Sequence, residues 1–332
     1  MNDRRTVLIT GGAGYVGSHV ALALSDAGRP AVVLDDLSKG VRENVPAAVA
    51  FVQGDCGDAR LLADLMRRHE VGTVMHFAGS VVVPESVADP GLYYRNNTMN
   101  SLALIETCIR QGVDRFVFSS TAAVYGVPER SPVTEDTPLA PINPYGSSKL
   151  MTEWMLRDSA AAHRLRYVAL RYFNVAGADP AGRSGQSTPE ATHLIKVASE
   201  VAAGKRPFIE IFGTDYPTPD GTCVRDYIHV SDLAEAHLLA LGHLETGGAS
   251  TTLNCGYGRG YSVKQVLDMV ESVSGRPLDR RITGRRAGDP PALVADATRL
   301  RRMFGWEPRH ADLRTIVETA LAWETKLKAA KV

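Results

Sequence analysis

This sequence lacks an excess of charge of one sign, long apolar runs, and clusters of metal-binding side chains. Its 332 residues include 37 basic and 37 acidic side chains, so the overall charge indicates neither a nucleic-acid nor a membrane-surface partner. No apolar run approaches the ~20 residues that a membrane span needs. The first apolar run, residues 7–9, is also too short for the apolar core of a signal peptide.

Cysteine is scarce and dispersed. The four cysteines are Cys56, Cys108, Cys223 and Cys255, and no two of them form a CxxC pair. This usage is typical of reduced thiols in a cytoplasmic protein. The nine histidines form no HExxH or similar pattern, so we expect no metal site. With 44% hydrophobic and 22% charged residues, the composition is that of an ordinary globular protein.

What the first half of the chain does contain is a series of short apolar runs separated by helical stretches. The runs occupy residues 6–10, 31–35, 51–52, 73–77, 115–119 and 167–171. Continuous apolar runs of this length are typical of parallel strands covered on both faces by helices. Because crossover connections between parallel strands are right-handed, the order of elements predicts an α/β fold with a doubly wound, Rossmann-like sheet.

The pattern changes after about residue 174. Residues 177–189 are rich in glycine, proline and serine, as in loops. Helical patterns then resume at 231–244, 262–274 and 312–328, with Ser231 as the expected N-cap of the first. We expect a first domain over residues 1–175, to which segments around 225–257 return, and a smaller second domain over residues 176–332.

A glycine cluster follows the first predicted strand. Gly12, Gly14 and Gly17 satisfy GxGxxG, and Gly11, Gly14 and Gly17 satisfy the wider GxxGxxG spacing. Glycines at these positions permit a tight turn and a close approach of the backbone to a pyrophosphate, whose charge is stabilised by the helix N-terminus. Between a strand and a helix, the motif predicts dinucleotide binding.

An acidic residue ends the next predicted strand. Asp35 follows Gly17 by eighteen residues, where a carboxylate accepts hydrogen bonds from the adenosine ribose and repels a 2′-phosphate. The sequence therefore favours NAD as the cofactor. Lys39 and Arg42 nearby leave NADP open as an alternative.

A tyrosine and a lysine lie four residues apart, on one face of a predicted helix. The spacing of Tyr145 and Lys149 is unspecific by itself, but the pair follows a strand whose end carries hydroxyl groups, at residues 119–121. Ligands bind doubly wound sheets at the carboxyl ends of the strands. A phenol is a poor base at neutral pH unless nearby cations favour the phenolate, and Lys149 with a positively charged nicotinamide would supply them.

Beyond these patterns, the chain resembles the extended short-chain dehydrogenase/reductase superfamily and, within it, the UDP-glucose 4-epimerase family, over nearly its whole length. The first-half motifs are TGGAGYVGSH (10–19), HFAG (76–79), ESV (85–87), YYRNN (93–97), FSST (118–121), VYG (124–126), NPYGSSK (143–149) and LRYFN (170–174). The more specific second-half motifs are IFGTDYP (211–217) and DGTCVRDYIHV (220–230).

The resemblance implies an NAD-dependent 4-epimerisation of a UDP-hexose, UDP-glucose or UDP-galactose, with NAD bound and recycled. It implies that Tyr145 takes the proton of the sugar 4-hydroxyl while C4 gives hydride to the nicotinamide. The transient 4-keto sugar then receives the hydride on its other face. Thr121 would hydrogen-bond the reacting oxygen, and Lys149 would hold the ribose and lower the pKa of the tyrosine.

The family's binding residues can be transferred position by position to this sequence. The implied NAD contacts are Gly11, Gly14, Tyr15, Val16, Gly17, Asp35, Asp36, Asp55, Cys56, Phe77, Ala78, Gly79, Asn96, Tyr145, Lys149 and Phe173. The implied contacts to the UDP-sugar are Thr121, Asn174, Phe212, Arg225, Arg286, Asp289 and Leu293. In this set Phe212 lies at the uracil, and the guanidiniums suit phosphate oxygens.

Departures from the family pattern affect the expected sugar contacts. Val81 replaces a lysine that some members have near the sugar, His193 replaces an asparagine, and Lys196 replaces a proline. Leu293 lies where the family pattern faces the C2 substituent of the sugar. A tyrosine there closes the pocket, and a small residue admits an N-acetyl group. UDP-N-acetylhexosamine and UDP-pentose therefore remain alternative substrates, and Leu293 could instead only fill core space.

Three rival functions share parts of this pattern. A nucleotide-sugar dehydratase of the same superfamily needs a further acid and base after the hydroxyl residue, where this chain has Ala122 and Ala123. A non-catalytic NAD-binding sensor has no need of the tyrosine and lysine that this chain keeps. An oxidoreductase that releases its reduced cofactor remains open.

The resemblance also implies a homodimer. In the family, the helix that follows Lys149 and the helix over residues 97–111 pair across the subunit interface. Within the first of these helices, the spacing of Met151, Trp154 and Met155 predicts core positions.

Overall fold

The positions of the strands are those of a parallel α/β protein. A computed structural model of the chain describes residues 5–188, 191–286 and 289–329. Its strands are β1 (Thr6–Thr10), β2 (Ala31–Asp35), β3 (Ala50–Gln53), β4 (Val71–His76), β5 (Arg115–Thr121), β6 (Arg166–Tyr172), β7 (Asn174–Ala176), β8 (Ile209–Phe212), β9 (Val224–His229), β10 (Thr251–Cys255), β11 (Gly260–Ser262), β12 (Arg280–Thr283) and β13 (Ala292–Leu293).

Helices connect most of these strands. They are α1 (Tyr15–Asp26), α2 (Ala59–Arg68), α3 (Val83–Ala88), α4 (Pro90–Tyr93), α5 (Asn100–Gln111), α6 (Pro144–Ala162), α7 (Leu194–Ala202), α8 (Val230–Glu245), α9 (Val263–Ser274), α10 (Thr298–Phe304) and α11 (Leu313–Ala329). A π-helical segment, Tyr94–Met99, joins α4 to α5, and short 3₁₀ turns occupy Arg42–Asn44 and Ala122–Tyr125.

Seven strands form one parallel sheet in the order β10-β6-β5-β4-β1-β2-β3. The order reverses direction at β1, as in the doubly wound fold predicted from the sequence. At this point β1 pairs with β2 on one side and with β4 on the other. A ligand site is expected in the crevice at the carboxyl ends of these strands.

Both faces of the sheet are buried. On β1, Val7 and Ile9 belong to one apolar cluster, whereas Leu8 between them belongs to the other. Helices α1 and α8 pack together over the first face, and α2, α5 and α6 pack in sequence over the second. This two-sided burial explains why the strands appear in the sequence as continuous apolar runs.

A second group of strands lies beyond this sheet. Strand β9 pairs in parallel with β7 and β13 and antiparallel with β11, while β8 and β12 form a parallel pair of their own. Strand β10, although late in the chain, pairs with β6 in the large sheet. The domain boundaries given above stay a prediction.

The helix starts differ in one detail from expectation. Helix α8 is capped by His229, whose side chain accepts a hydrogen bond from the backbone N–H of Ser231. Ser231 is therefore inside the helix, and its prediction as N-cap was wrong, because a histidine ring nitrogen supplies the acceptor. At α9, Ser262 forms a capping box with Gln265. Among the described residues, no helix is long and apolar enough to cross a membrane.

Candidate active site

The glycine loop and the end of β4 run side by side at the switch point of the sheet. Gly11 has a φ of 73°, and a Cβ there would lie 2.5 Å from the backbone nitrogen of Ala78. A Cβ on Gly17 would lie 2.3 Å from the carbonyl oxygen of Gly11. Both positions therefore require glycine, the first for its left-handed backbone and the second for the close approach of α1 to the loop.

The N-terminus of α1 suits an anion. Its N-cap, Gly14, provides no side-chain hydrogen bond, and the first turn contains no acidic residue. Tyr15 and Val16 begin the helix, and the Tyr15 hydroxyl donates to the Gly177 carbonyl oxygen at 2.6 Å. A helix start without a side-chain acceptor leaves backbone N–H groups and the positive end of the helix dipole for a phosphate.

Asp35 lies at the end of β2, beside the loop. One carboxylate oxygen accepts a hydrogen bond from the Ala13 N–H and the other from the Leu37 N–H, each at 2.9 Å. Burial raises the pKa of Asp35, and these backbone hydrogen bonds partly offset the shift. Because a carboxylate oxygen has two acceptor sites, each oxygen can accept one further hydroxyl.

Asp36, Asp55 and Cys56 lie near the same strand ends. Burial raises the pKa of Cys56 to about 12, and the charges of Asp55 and Asp36 act in the same direction. Cys56 is therefore a small buried thiol. All four cysteines are buried and unbridged.

Tyr145 and Lys149 lie in the first two turns of α6. The helix begins at Pro144, and its N-cap Asn143 accepts a hydrogen bond from the Gly146 N–H at 2.9 Å. Proline at this position is typical of a helix start, since its missing N–H has no partner to lose there. Both Tyr145 and Lys149 are buried.

Thr121 ends β5 and faces this helix start. Its hydroxyl accepts a hydrogen bond from the Ala123 N–H at 3.1 Å and also interacts with the Tyr145 phenol. Lys149 Nζ donates to the Ser119 carbonyl oxygen at 3.2 Å, on the same strand. The structure thus brings the three predicted catalytic residues together at the end of β5.

The pKa values of Tyr145 and Lys149 are shifted in opposite directions. Burial raises the pKa of Tyr145, and the hydrogen bond with Thr121 offsets only part of this shift. Burial lowers the pKa of Lys149 to about 8. Since desolvation disfavours either charged form, the phenol needs a further positive charge to become a base at neutral pH.

Glu153 is a supporting residue that the sequence analysis missed. It follows Lys149 by one helical turn, and its carboxylate accepts hydrogen bonds from Arg171 on β6 and from the Ser120 hydroxyl on β5. Arg171 also donates to the Tyr125 hydroxyl at 3.0 Å. The buried network ties α6 to the ends of β5 and β6. The repeat of polar residues at 145, 149 and 153 was the signal that could have revealed it.

Asn97, in the π-helical segment, was missed as well. Its amide oxygen accepts from the Ser80 N–H at 2.7 Å, and its amide nitrogen donates to the Ser80 carbonyl oxygen and the Ser148 hydroxyl, each at 3.0 Å. The predicted cofactor residue Asn96 donates to the Ser80 hydroxyl at 3.2 Å. Asn97 therefore joins the chain after Gly79 to α6.

The residues predicted for the nucleotide sugar lie on the second group of strands. Asn174 begins β7, Phe212 ends β8 and Leu293 ends β13. Arg225, on β9, donates to the Val224 carbonyl oxygen at 2.9 Å and pairs with Asp289 at 3.4 Å. Arg286 lies over the ring of Phe212, with its guanidinium carbon 3.6 Å from the ring centroid.

One apolar cluster connects the predicted catalytic residues with the residues predicted to bind the nucleotide sugar. Leu293 and Phe173 are buried in it together with Ala122 and Leu150, which flank Thr121 and Lys149 in the chain. In register, Leu293 lies opposite Arg225. Phe77, at the end of β4, packs against His237 with ring centroids 4.8 Å apart.

The prediction of a core position for Trp154 was wrong. Its side chain is 45% exposed, whereas Met151 and Met155 of the same helix are partly buried. Helical spacing identifies a face but does not show what covers it. No group of histidine, cysteine and acidic residues in the described parts of the chain could hold a metal ion.

Comparison with known proteins defines the class of this chain. Residues 7–256 match the model of the NAD dependent epimerase/dehydratase family, and the chain belongs to that family. It is similar to the UDP-glucose 4-epimerase of Azospirillum brasilense, with 64% identity over 322 residues that cover 97% of this chain and 92% of that protein.

Solved structures that are similar to this chain belong to the same class of protein. The UDP-glucose 4-epimerase of Brucella ovis, in complex with NAD, is 45% identical and superimposes with a TM-score of 0.94, covering 97% of this chain and 98% of that one. The enzyme of Bifidobacterium longum, in complex with NAD⁺ and UDP, is 36% identical with a TM-score of 0.92 and the same coverage. The family resemblance and the Rossmann-like fold class are therefore confirmed.

Proposed function

We propose that this chain is an NAD-dependent 4-epimerase of UDP-hexoses that interconverts UDP-glucose and UDP-galactose. The observation that carries the proposal is the buried group of Thr121, Tyr145 and Lys149 at the end of β5, beside a glycine loop with an uncapped helix N-terminus. The similarity to UDP-glucose 4-epimerases supports the same reaction and substrate class.

The residues around the glycine loop fit NAD. The α1 N-terminus would hold the pyrophosphate, and the Asp35 carboxylate would accept the ribose hydroxyls of the adenosine. Arg42, the nearby cation that could favour NADP, lies 4.5 Å over the Phe51 ring and donates to the Val45 carbonyl oxygen. When bound, NAD supplies a reversible hydride acceptor for the sugar C4.

The chain's own residues move the proton. Tyr145 accepts the proton of the sugar 4-hydroxyl as the hydride leaves C4, and the substrate becomes a 4-keto sugar. Thr121 donates a hydrogen bond to the reacting oxygen. When the hydride returns to the opposite face of C4, Tyr145 gives the proton back to the 4-oxygen. The sugar thus regains both the proton and the hydride in one turnover. The positive charge of Lys149 favours the phenolate.

The second group of strands supplies the nucleotide contacts in this proposal. Arg225 and Arg286 face the diphosphate, Asn174 lies beside it, and Phe212 stacks on the uracil. Asp289 holds Arg225 in place. A dehydratase is disfavoured because Ala122 and Ala123, which follow Thr121, offer no acid or base for removing water.

The function is tested on the protein as purified. Denaturation should release about one NAD per chain, and the native protein should convert UDP-galactose to UDP-glucose without added cofactor and without net NADH. Stoichiometric NADH would identify an oxidoreductase, and a product lighter by one water would identify a dehydratase. Titration of cofactor-stripped protein should give tighter binding of NAD than of NADP, because Asp35 opposes a 2′-phosphate.

Replacing Lys149 by methionine is expected to shift the rising limb of the pH–rate profile to higher pH and to weaken the hold on NAD. With its pKa lowered to about 8, the wild-type lysine is charged below that pH and loses its charge above it. Removing the cation therefore raises the pKa of Tyr145 throughout the range where the lysine is charged. Lys149→Arg keeps the charge and is the control. An identical profile in the methionine variant would contradict the role.

Replacing Leu293 by tyrosine is expected to suppress turnover of UDP-N-acetylhexosamines and to leave UDP-glucose and UDP-galactose turnover largely intact. In this proposal Leu293 faces the C2 substituent, and an apolar wall discriminates against added bulk by only ~1–3 kcal/mol, so wild type should show measurable N-acetyl activity. Leu293→Met, similar in volume, is the control. Equal loss of both activities would show that Leu293 fills core space only.

We also propose that the chain forms a homodimer through α5 and α6. Large apolar side chains project from this surface and from the π-helical segment that leads to it: Met99 is 63% exposed, Leu102 42% and Trp154 45%. A second copy would remove this apolar area from water. Sedimentation should give twice the chain mass, and Leu102→Glu should give a monomer. Location in the cytoplasm stays a prediction.

A further inference from the structure

Three arginines stack on aromatic rings around the pair of strands β8 and β12. The guanidinium carbon of Arg281 lies 3.7 Å from the ring centroid of Phe208, that of Arg285 4.3 Å from Tyr216, and that of Arg286 3.6 Å from Phe212. Arg285 is also held by Asp215, through its carboxylate at 2.7 Å and its carbonyl oxygen. The stack of Arg286 differs from the others because both of its members belong to the proposed nucleotide site.

The Arg286 stack covers the side of Phe212 that a ligand would use. Phe212 ends β8 and is half-buried, whereas Arg286 is exposed. The guanidinium therefore lies on the solvent side of the ring. A base stacked on this face would need the space that the guanidinium fills at 3.6 Å from the ring centroid. A uracil and the guanidinium therefore cannot occupy this face together.

We infer that Arg286 is a specificity-determining residue that makes uracil binding at Phe212 conditional on the diphosphate. The inference rests on the proposed function, which gives the uracil to Phe212 and the diphosphate to Arg286. A ligand with phosphates draws the guanidinium off the ring into charge-assisted hydrogen bonds, and the base takes the vacated face. A ligand without phosphates must displace the guanidinium and offers it nothing in exchange.

Moving from its present contacts to the diphosphate is favourable for Arg286 but not for Arg225. A guanidinium that is itself exposed to solvent, as that of Arg286 is, is bound weakly by a ring, whereas its forked donors match phosphate oxygens in pairs. Arg225 is already held by Asp289 and by the Val224 carbonyl oxygen, so it provides a fixed contact. Arg286 is the one whose position changes with the ligand.

The experiment compares two ligands by calorimetric titration of the NAD-loaded protein: uridine, which lacks phosphate, and UDP. Arg286→Ala is expected to bind uridine about threefold more tightly, because the competing stack is gone. The same variant is expected to bind UDP about tenfold more weakly, because a charge-assisted contact is lost. The preference for UDP over uridine should therefore fall about thirtyfold.

Control variants separate this inference from the proposed function. Arg285→Ala, the neighbouring arginine on Tyr216, should leave the preference unchanged. Phe212→Leu should lower the affinity for both uridine and UDP. In the double variant with Arg286→Ala, uridine binding should no longer improve. If Phe212→Leu weakens both ligands but Arg286→Ala leaves uridine binding unchanged or weaker, the inference is wrong and the uracil site stands. If Phe212→Leu changes neither affinity, the uracil site itself fails, and the inference fails with it.

Discussion

Replacing Tyr145 by phenylalanine is expected to lower turnover of UDP-galactose by about a thousandfold. General acid–base catalysis contributes about 10²–10⁴-fold to enzymatic rates, and this substitution removes only the phenol oxygen that carries the proton. The ring is buried, with its edge near Tyr93 at a centroid distance of 6.4 Å, so packing should be kept. We therefore expect unchanged thermal stability and a full content of bound NAD.

Tyr167→Phe provides the matched control for this prediction. Tyr167 is as buried as Tyr145 but lies at the start of β6, at the opposite end of the strands from Thr121. Its substitution should cost less than tenfold in turnover. A Tyr145→Phe variant whose activity stays within about tenfold of wild type would contradict the role of Tyr145 as the base.

Replacing Glu153 by alanine is expected to destabilise the fold by about 3–5 kcal/mol. The Glu153 and Arg171 side chains are each 6% exposed, and their charged atoms lie 2.6 Å apart. Removing one partner leaves a buried arginine without its counter-charge, which is the costly case for buried ion pairs. A fall in Tm of roughly 8 °C should accompany the loss. Because the same carboxylate binds α6 to β5, the catalytic geometry should loosen as well.

The control for Glu153→Ala is an ion pair of the same length on the surface. Asp64 and Arg68 of α2 are also 2.6 Å apart, but their side chains are 47% and 68% exposed. Asp64→Ala should cost less than about 1 kcal/mol, because solvent screens an exposed pair. Equal destabilisation by the two variants, measured by chemical denaturation, would show that the buried network does not support the fold in the way described.

Some elements of this protein could be predicted because their signal is local. Strands β1 and β2 have the bounds that their apolar runs indicated, and Gly11 and Gly17 lie at close approaches that exclude a side chain. The proximity of three predicted site residues could be expected for the same reason: Tyr145 and Lys149 are one helical turn apart, and Thr121 ends a strand with an obvious pattern. Their catalytic roles came from the family resemblance and stay a prediction.

The residues that the sequence did not reveal, or whose position it predicted wrongly, have one feature in common. Glu153 is an ordinary acidic residue in the sequence, and it becomes a tie between helix and sheet only because β6 brings Arg171 to it. Asn97 acts through Ser80, seventeen positions earlier. Trp154 has the spacing of a core residue, yet the packing of the described chain leaves it 45% exposed. In each case the outcome depends on which residues distant in sequence pack nearby.

The sequence by itself determined the doubly wound fold, the glycine loop and the proximity of Thr121, Tyr145 and Lys149, because these depend on periodicity and on residue types at short spacing. Only the tertiary structure decided which polar groups are buried together and which arginine lies on which ring. Burial changes the pKa of Tyr145 and Lys149, and the register of β8 with β12 sets Phe212 opposite Thr283, three residues before Arg286. Such effects depend on packing in three dimensions, which no local pattern encodes.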